Sequence, residues 1–102
     1  MNYNIVVSSL AQRHLKESFE WYEFQRPSLG KEFRAEARII IDKLADESVD
    51  HQIYPGKTRK VKLDRFPYYV YYERDEVKSQ IVVIAIMHFK RNPDTIKGLL
   101  RK

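Results

Sequence analysis

The residues with most chemical potential fall in two stretches. One is "KVKLDRFPYYVYY", Lys60 to Tyr72, and the other is "HFKR", His88 to Arg91. Five of the thirteen residues in the first are aromatic (Phe66, Tyr68, Tyr69, Tyr71 and Tyr72), and three are basic: Lys60, Lys62 and Arg65. Side chains of these types can break a phosphodiester without a metal. A basic group takes the proton of an RNA 2′-OH as it attacks the adjacent phosphate, and a lysine crowded by other cations has a pKa lowered towards that task. An arginine neutralises the charge that gathers on the phosphate oxygens. The same residues can also act by binding alone. Lysines hold a phosphate backbone, while tyrosines stack a base or a partner's apolar side chain.

Other chemistries are absent from the sequence. With no cysteine, disulfides, Cys-ligated zinc, iron–sulfur clusters and thiol nucleophiles are excluded. The three histidines, at 14, 51 and 88, are too far apart for a metal-ligand motif, and neither a metal nor a cofactor is expected. There is no Gly-rich phosphate loop and no arguable Ser/His/Asp order. His88 alone reads as a structural histidine. Glu17, Glu20, Glu23, Glu32 and Glu36 read as solvated helix residues that pair with Lys16 or Arg34.

Charge is polarised along the chain. Residues 1–50 carry 7 Lys/Arg against 9 Asp/Glu, and residues 51–102 carry 12 against 5. Two patches dominate, "KTRKVKLDR" at 57–65 and "HFKRNPDTIKGLLRK" at 88–102. This distribution suits a polyanion or an acidic protein partner. The first residues lack the basic start and long apolar run of a signal peptide. The longest apolar run, Ile81 to Met87, is seven residues, where a membrane span needs about 20. No membrane association is expected, and the expected setting is the cytoplasm, with which the lack of cysteine agrees.

The elements that must position these residues follow from periodicity. The 102 residues suit one domain, with neither repeats nor linker. "YNIVVS" alternates as a strand, with Tyr3, Ile5 and Val7 on one face. Ser8 or Ser9 can cap the helix that follows. Along it, Ala11, Leu15, Ser18, Phe19 and Tyr22 form a stripe, widened by Leu10, His14, Trp21 and Phe24. Pro27 and Gly30 mark a turn. A second helix, from Lys31 to Ser48, repeats Phe33, Ala37, Ile40 and Leu44, and the short loop makes the two helices antiparallel neighbours.

After "VDHQIYPGK" the period changes to two. "RKVKL", "YYVYYE" and "QIVVIAIMHF" read as strands joined by "DRFP" and "RDEVKS". The last of them is apolar on both faces and is expected at the sheet's centre. "TIKGLLRK" could add a helical turn. The order β-α-α-β-β-β predicts an α+β fold in two layers: an antiparallel helical hairpin packed on one face of a curved, mainly antiparallel four-stranded sheet. Val70 selects Tyr68, Val70 and Tyr72 for the core, alongside Val61 and Leu63. Tyr69 and Tyr71 then share the far face with Lys60 and Lys62, either as a working surface or as ordinary half-buried strand residues. His88, Lys90 and Arg91 bring charge to the sheet's rim.

Three segments, "LAQRHLKESFEWYEFQRPSLGKEF", "RKVKLDRFPYYVYY" and "IVVIAIMHFKRNPD", together resemble the RelE/ParE superfamily of bacterial type II toxin–antitoxin toxins, and the ParE-like branch most of all. The resemblance covers nearly the whole length. It implies a single toxin domain over 1–102, a target that is either DNA gyrase or the ribosome with its mRNA, and neutralisation by a cognate antitoxin whose C-terminal segment wraps the toxin. It nominates Lys60, Lys62 and Arg91 as catalytic if the chain is a metal-independent ribonuclease. Arg65, Tyr69, Tyr71, His88 and Lys90 are nominated to bind the target or antitoxin. Two positions depart from the nuclease pattern: Tyr69 stands where that branch has an arginine, and Ile96 near where it keeps a base-stacking tyrosine. A basic module that binds without poisoning anything is the remaining possibility.

Overall fold

The computed structural model describes residues 3–45 and 58–90. Its elements are β1 (Asn4–Val7), α1 (Ser9–Gln25), α2 (Leu29–Lys43), β2 (Arg59–Lys62), β3 (Tyr68–Asp75) and β4 (Gln80–His88). The sheet order is β1-β4-β3-β2. β1 runs parallel to β4 and the other pairs are antiparallel. This is the predicted β-α-α-β-β-β arrangement, with the doubly apolar strand in the middle. The proposed turn at "TIKGLLRK" lies outside the described residues.

The core forms where the hairpin meets one sheet face. Ala11, Tyr22, Phe33, Ala37, Ile41 and Leu44 pack against Leu63, Tyr68, Val70, Tyr72, Ile81, Val83 and Ile86. The inward set on β3 is the predicted one, chosen by Val70. On β4 the inward set changes from odd to even numbers between Val83 and Ile86. The register explains it: Tyr71 pairs with Ala85 and Tyr72 with Val83, so Ile84 is an extra residue in β4. Such a bulge shifts the alternation by one.

β1 is four residues long and β4 nine, so β4 outruns its parallel neighbour. The start of α1 completes the exposed edge. Ser8 N–H donates to Val83 O at 3.0 Å, and Ser8 Oγ donates to Ile84 O at 2.9 Å. Ile86 N–H donates to Nδ1 of buried His14 at 3.1 Å. The same Ser8 hydroxyl accepts from Ala11 N–H at 3.1 Å and so caps α1. His14 thus belongs on the buried stripe but as a hydrogen-bond acceptor. Trp21 and Phe24, expected to widen that stripe, are instead exposed. The sheet-facing row runs through residues 11, 14 and 22, and both rings lie outside it.

The hairpin closes through side-chain capping. Ser28 takes a left-handed conformation, φ 74°, and its own side chain caps nothing. Glu23, from α1, accepts from Ser28 N–H at 3.2 Å and Lys31 N–H at 3.1 Å. Desolvation pushes the Glu23 carboxyl up, but the backbone donors of Ser28, Lys31 and Gly30 outweigh it and hold it below its usual range. Gly30 lies in the first turn of α2, not in the turn its type suggested. Its need for no side chain comes from the helix crossing: a Cβ there would fall against the Phe19 carbonyl oxygen and 2.6 Å from Cγ of Glu23. At an open helical site, Gly→Ala would stabilise by about 1 kcal/mol. Here Gly30→Ala is expected to lower stability, by about 1–3 kcal/mol as overpacking does. Urea unfolding measures it, and a stabilised variant would contradict the close crossing.

Candidate functional site

β2 and β3 bring the nominated lysines and tyrosines together. Lys60 pairs with Tyr71 and Lys62 with Tyr69, so all four share the face away from the helices. Their environments differ. Lys62 is exposed, whereas Lys60 is half-buried with its Nζ 4.3 Å from the Tyr69 ring centre, a cation–π contact. Tyr71 is 3% exposed and forms a second apolar cluster with Ala85 and Met87, against which Tyr69 and Ile84 pack. The expected open lysine–tyrosine surface is therefore open only in part. Tyr71 is a support, because the bulge puts Ile84 and Ala85 beneath it.

One aromatic residue was not singled out from the sequence. The Phe89 ring lies 4.5 Å from that of Tyr69, tilted by 33°. Phe89 N–H donates to Pro67 O at 2.9 Å, which ties the end of β4 to the β2–β3 turn. The sequence pattern makes it the last residue of the strand "QIVVIAIMHF", whereas β4 ends at His88 and its alternation is shifted by the bulge.

Arg65 and His88 face elsewhere. Arg65 turns towards α2, where Nε donates to Glu36 Oε1 at 3.1 Å and Nη1 to Glu32 Oε1 at 3.2 Å. Its backbone N–H donates to Glu36 Oε2 at 2.9 Å, and Glu32 also accepts from Arg26 at 3.2 Å. Glu32 and Glu36 thus pair with Arg26 and Arg65 rather than Lys16 or Arg34. The hydrogen bonds to Glu36, then Glu32, raise the Arg65 pKa further.

His88 pairs in register with inward-facing Tyr68, with ring centres 5.3 Å apart. It is therefore on the helix side of the sheet, away from the lysines. Its Nδ1 accepts from Lys90 N–H at 3.0 Å. With His14, Glu17, Trp21 and Tyr68 it lines a cleft of about 130 Å³. Burial and then Tyr68 push the pKa of nearby Tyr22 up to about 12. Lys90 is exposed at the rim as expected. Arg91 and Ile96 lie outside the described residues. Among the described residues there is no cluster of three or more potential metal ligands, and no helix is long and apolar enough to cross a membrane.

A family profile described as "ParE toxin of type II toxin-antitoxin system, parDE" matches residues 5–93. The chain belongs to this ParE toxin family. It is accordingly a RelE/ParE-type toxin of a type II toxin–antitoxin system. No match is found among curated protein sequences. Solved structures agree on the fold. The chromosomal ParDE toxin–antitoxin system from P. aeruginosa contains a chain similar at TM-score 0.75 and 12% identity, over 84% of this chain and 95% of that one. The isolated E. coli RelE toxin is similar at TM-score 0.59 and 19% identity, over 97% of both chains. The RelBE2 toxin–antitoxin complex from Mycobacterium tuberculosis has a chain similar at TM-score 0.61 and 16% identity, over 86% and 99%.

The ion pairs of Arg65 are on the surface, so salt should weaken them. Arg65→Ala is expected to lower the thermal midpoint at low ionic strength, by a margin that shrinks in 1 M salt. A salt-independent loss would instead place the role of Arg65 in packing.

Proposed function

We propose that this ParE-family toxin arrests growth by binding DNA gyrase, and that a cognate antitoxin neutralises it. One observation carries the reading. At Tyr69, where the nuclease branch has an arginine, an aromatic pair stands with the Lys60 ammonium drawn onto it. An arginine would grip phosphate by paired hydrogen bonds. Two rings with a cation at their side offer apolar contact and positive charge, which suits a protein surface. Arg65, which lines a cleft with Lys62, is held by Glu32 and Glu36 and adds little to a phosphate site.

A metal-independent ribonuclease acting on ribosome-bound mRNA is the second reading. The placement of Lys60 and Lys62 on one face supports it, since two cations side by side can meet an RNA phosphate. The antitoxin reading follows from family membership and from charge. The C-terminal half is strongly basic, and an acidic wrapping segment would complement it.

Induced expression in bacteria separates the two. The gyrase reading expects growth arrest with accumulating DNA breaks while translation continues. Halted translation with truncated mRNA and intact DNA would overturn it. Co-expression of the small gene adjacent to or overlapping this one is expected to restore growth.

A further inference from the structure

Outside α1, Phe89 is the one exposed aromatic residue among those described, at 42%. The aromatic residues Phe66, Tyr68, Tyr71 and Tyr72 are all buried. Exposure does not leave it loose. Its backbone is bonded to Pro67, and its ring rests on Tyr69, which is packed in turn on the Tyr71–Ala85–Met87 cluster. A ring held this way loses little freedom when a partner covers it, which is the condition for a strong contact point.

A cleft of about 240 Å³ opens beside it, lined by Lys62, Asp64, Arg65, Phe66, Pro67 and Phe89, among others. Small-molecule pockets usually begin near ~300 Å³, so one inserted side chain is the better match. The surroundings are positive. Lys62 and Lys90 are exposed, Lys60 lies against Tyr69, and Asp64 is the only carboxylate in the lining. Arg65, the only arginine there, is neutralised by two glutamates.

We infer that Phe89 is the anchor by which this toxin grips its protein target. An apolar side chain from an acidic segment of the target enters the cleft and packs on Phe89, and carboxylates beside it meet Lys62 and Lys90. Such a centre, an aromatic ring in a pocket with a charged rim, is the usual form of a binding hot spot. The inference rests on the reading that the target is a protein. A nucleobase would prefer a flat platform with an arginine free for phosphate, and the described cleft offers a concave, partly apolar wall instead.

Two substitutions test it, with Val77→Ala as the control, since Val77 is 94% exposed in the distant β3–β4 turn. Phe89→Ala removes the ring. Phe89→Arg keeps a planar group to stack on Tyr69, so it protects the fold, but places a charge in the apolar contact. At matched expression, both Phe89 variants are expected to arrest growth on the order of tenfold less than wild type, as loss of a hot spot implies, while Val77→Ala stays wild type. Purified variants should bind purified gyrase more weakly by a similar factor. Full arrest by Phe89→Ala would overturn the inference. So would full arrest by Phe89→Arg, because guanidinium replaces an aromatic ring in stacking on bases but not in an apolar pocket. If the wild type arrests growth without binding gyrase, and both Phe89 variants lose the arrest, the gyrase reading fails and the anchor stands.

Discussion

The edge of β4 beyond Val83 is the constraint on which this molecule depends. β4 is the central strand, apolar on both faces, and it continues past the end of β1. Backbone groups left unpaired in such a place cost about 1–3 kcal/mol each. Ser8 and His14 meet that need from α1, with three hydrogen bonds to Val83, Ile84 and Ile86. α1 is thereby fixed against the sheet as a substitute strand. Everything the hairpin covers follows from that docking, and so does everything β4 carries at its far end.

The far end is where the work of the toxin is proposed to occur. The bulge at Ile84 turns Ala85 and Met87 to the face that supports Tyr71 and Tyr69. Tyr69 then holds Lys60 on one hand and Phe89 on the other. Arg65 is drawn towards α2 by ion pairs with Glu32 and Glu36. Lys62 and Lys90 bring exposed positive charge to this end of the sheet. Charge of this kind speeds and steers an encounter more than it tightens a complex. Tightness must come from buried apolar contact, and Phe89 is the ring proposed above to provide it.

Much of this was legible in the sequence. Val70 sorted the tyrosines of β3 correctly, because one aliphatic residue among aromatics marks the core side. β4 was recognisable as central from its two apolar faces, yet that same property hid the bulge. With no polar residue to break step, alternation cannot show where the register slips. The burial of Tyr71 and the stacking of Phe89 on Tyr69 were hidden for the same reason. His14 was counted as apolar surface because its spacing was right. Its true role needed the lengths of β1 and β4, which leave an edge for a side-chain acceptor to fill. Gly30 looked like a turn residue because a close helix crossing leaves no mark in local sequence. The partners of Arg65 are 29 and 33 positions away, beyond any local pattern.

The fold therefore depends on α1 completing the edge of β4. Amide hydrogen exchange in a His14→Leu variant tests this most directly. Leu keeps the apolar bulk and removes the acceptor. The Ile86 amide should then exchange markedly faster, and global stability should fall by about 1–3 kcal/mol, as expected for a buried donor left unsatisfied. Unchanged Ile86 protection together with unchanged stability would contradict the claim that His14 completes the edge of β4.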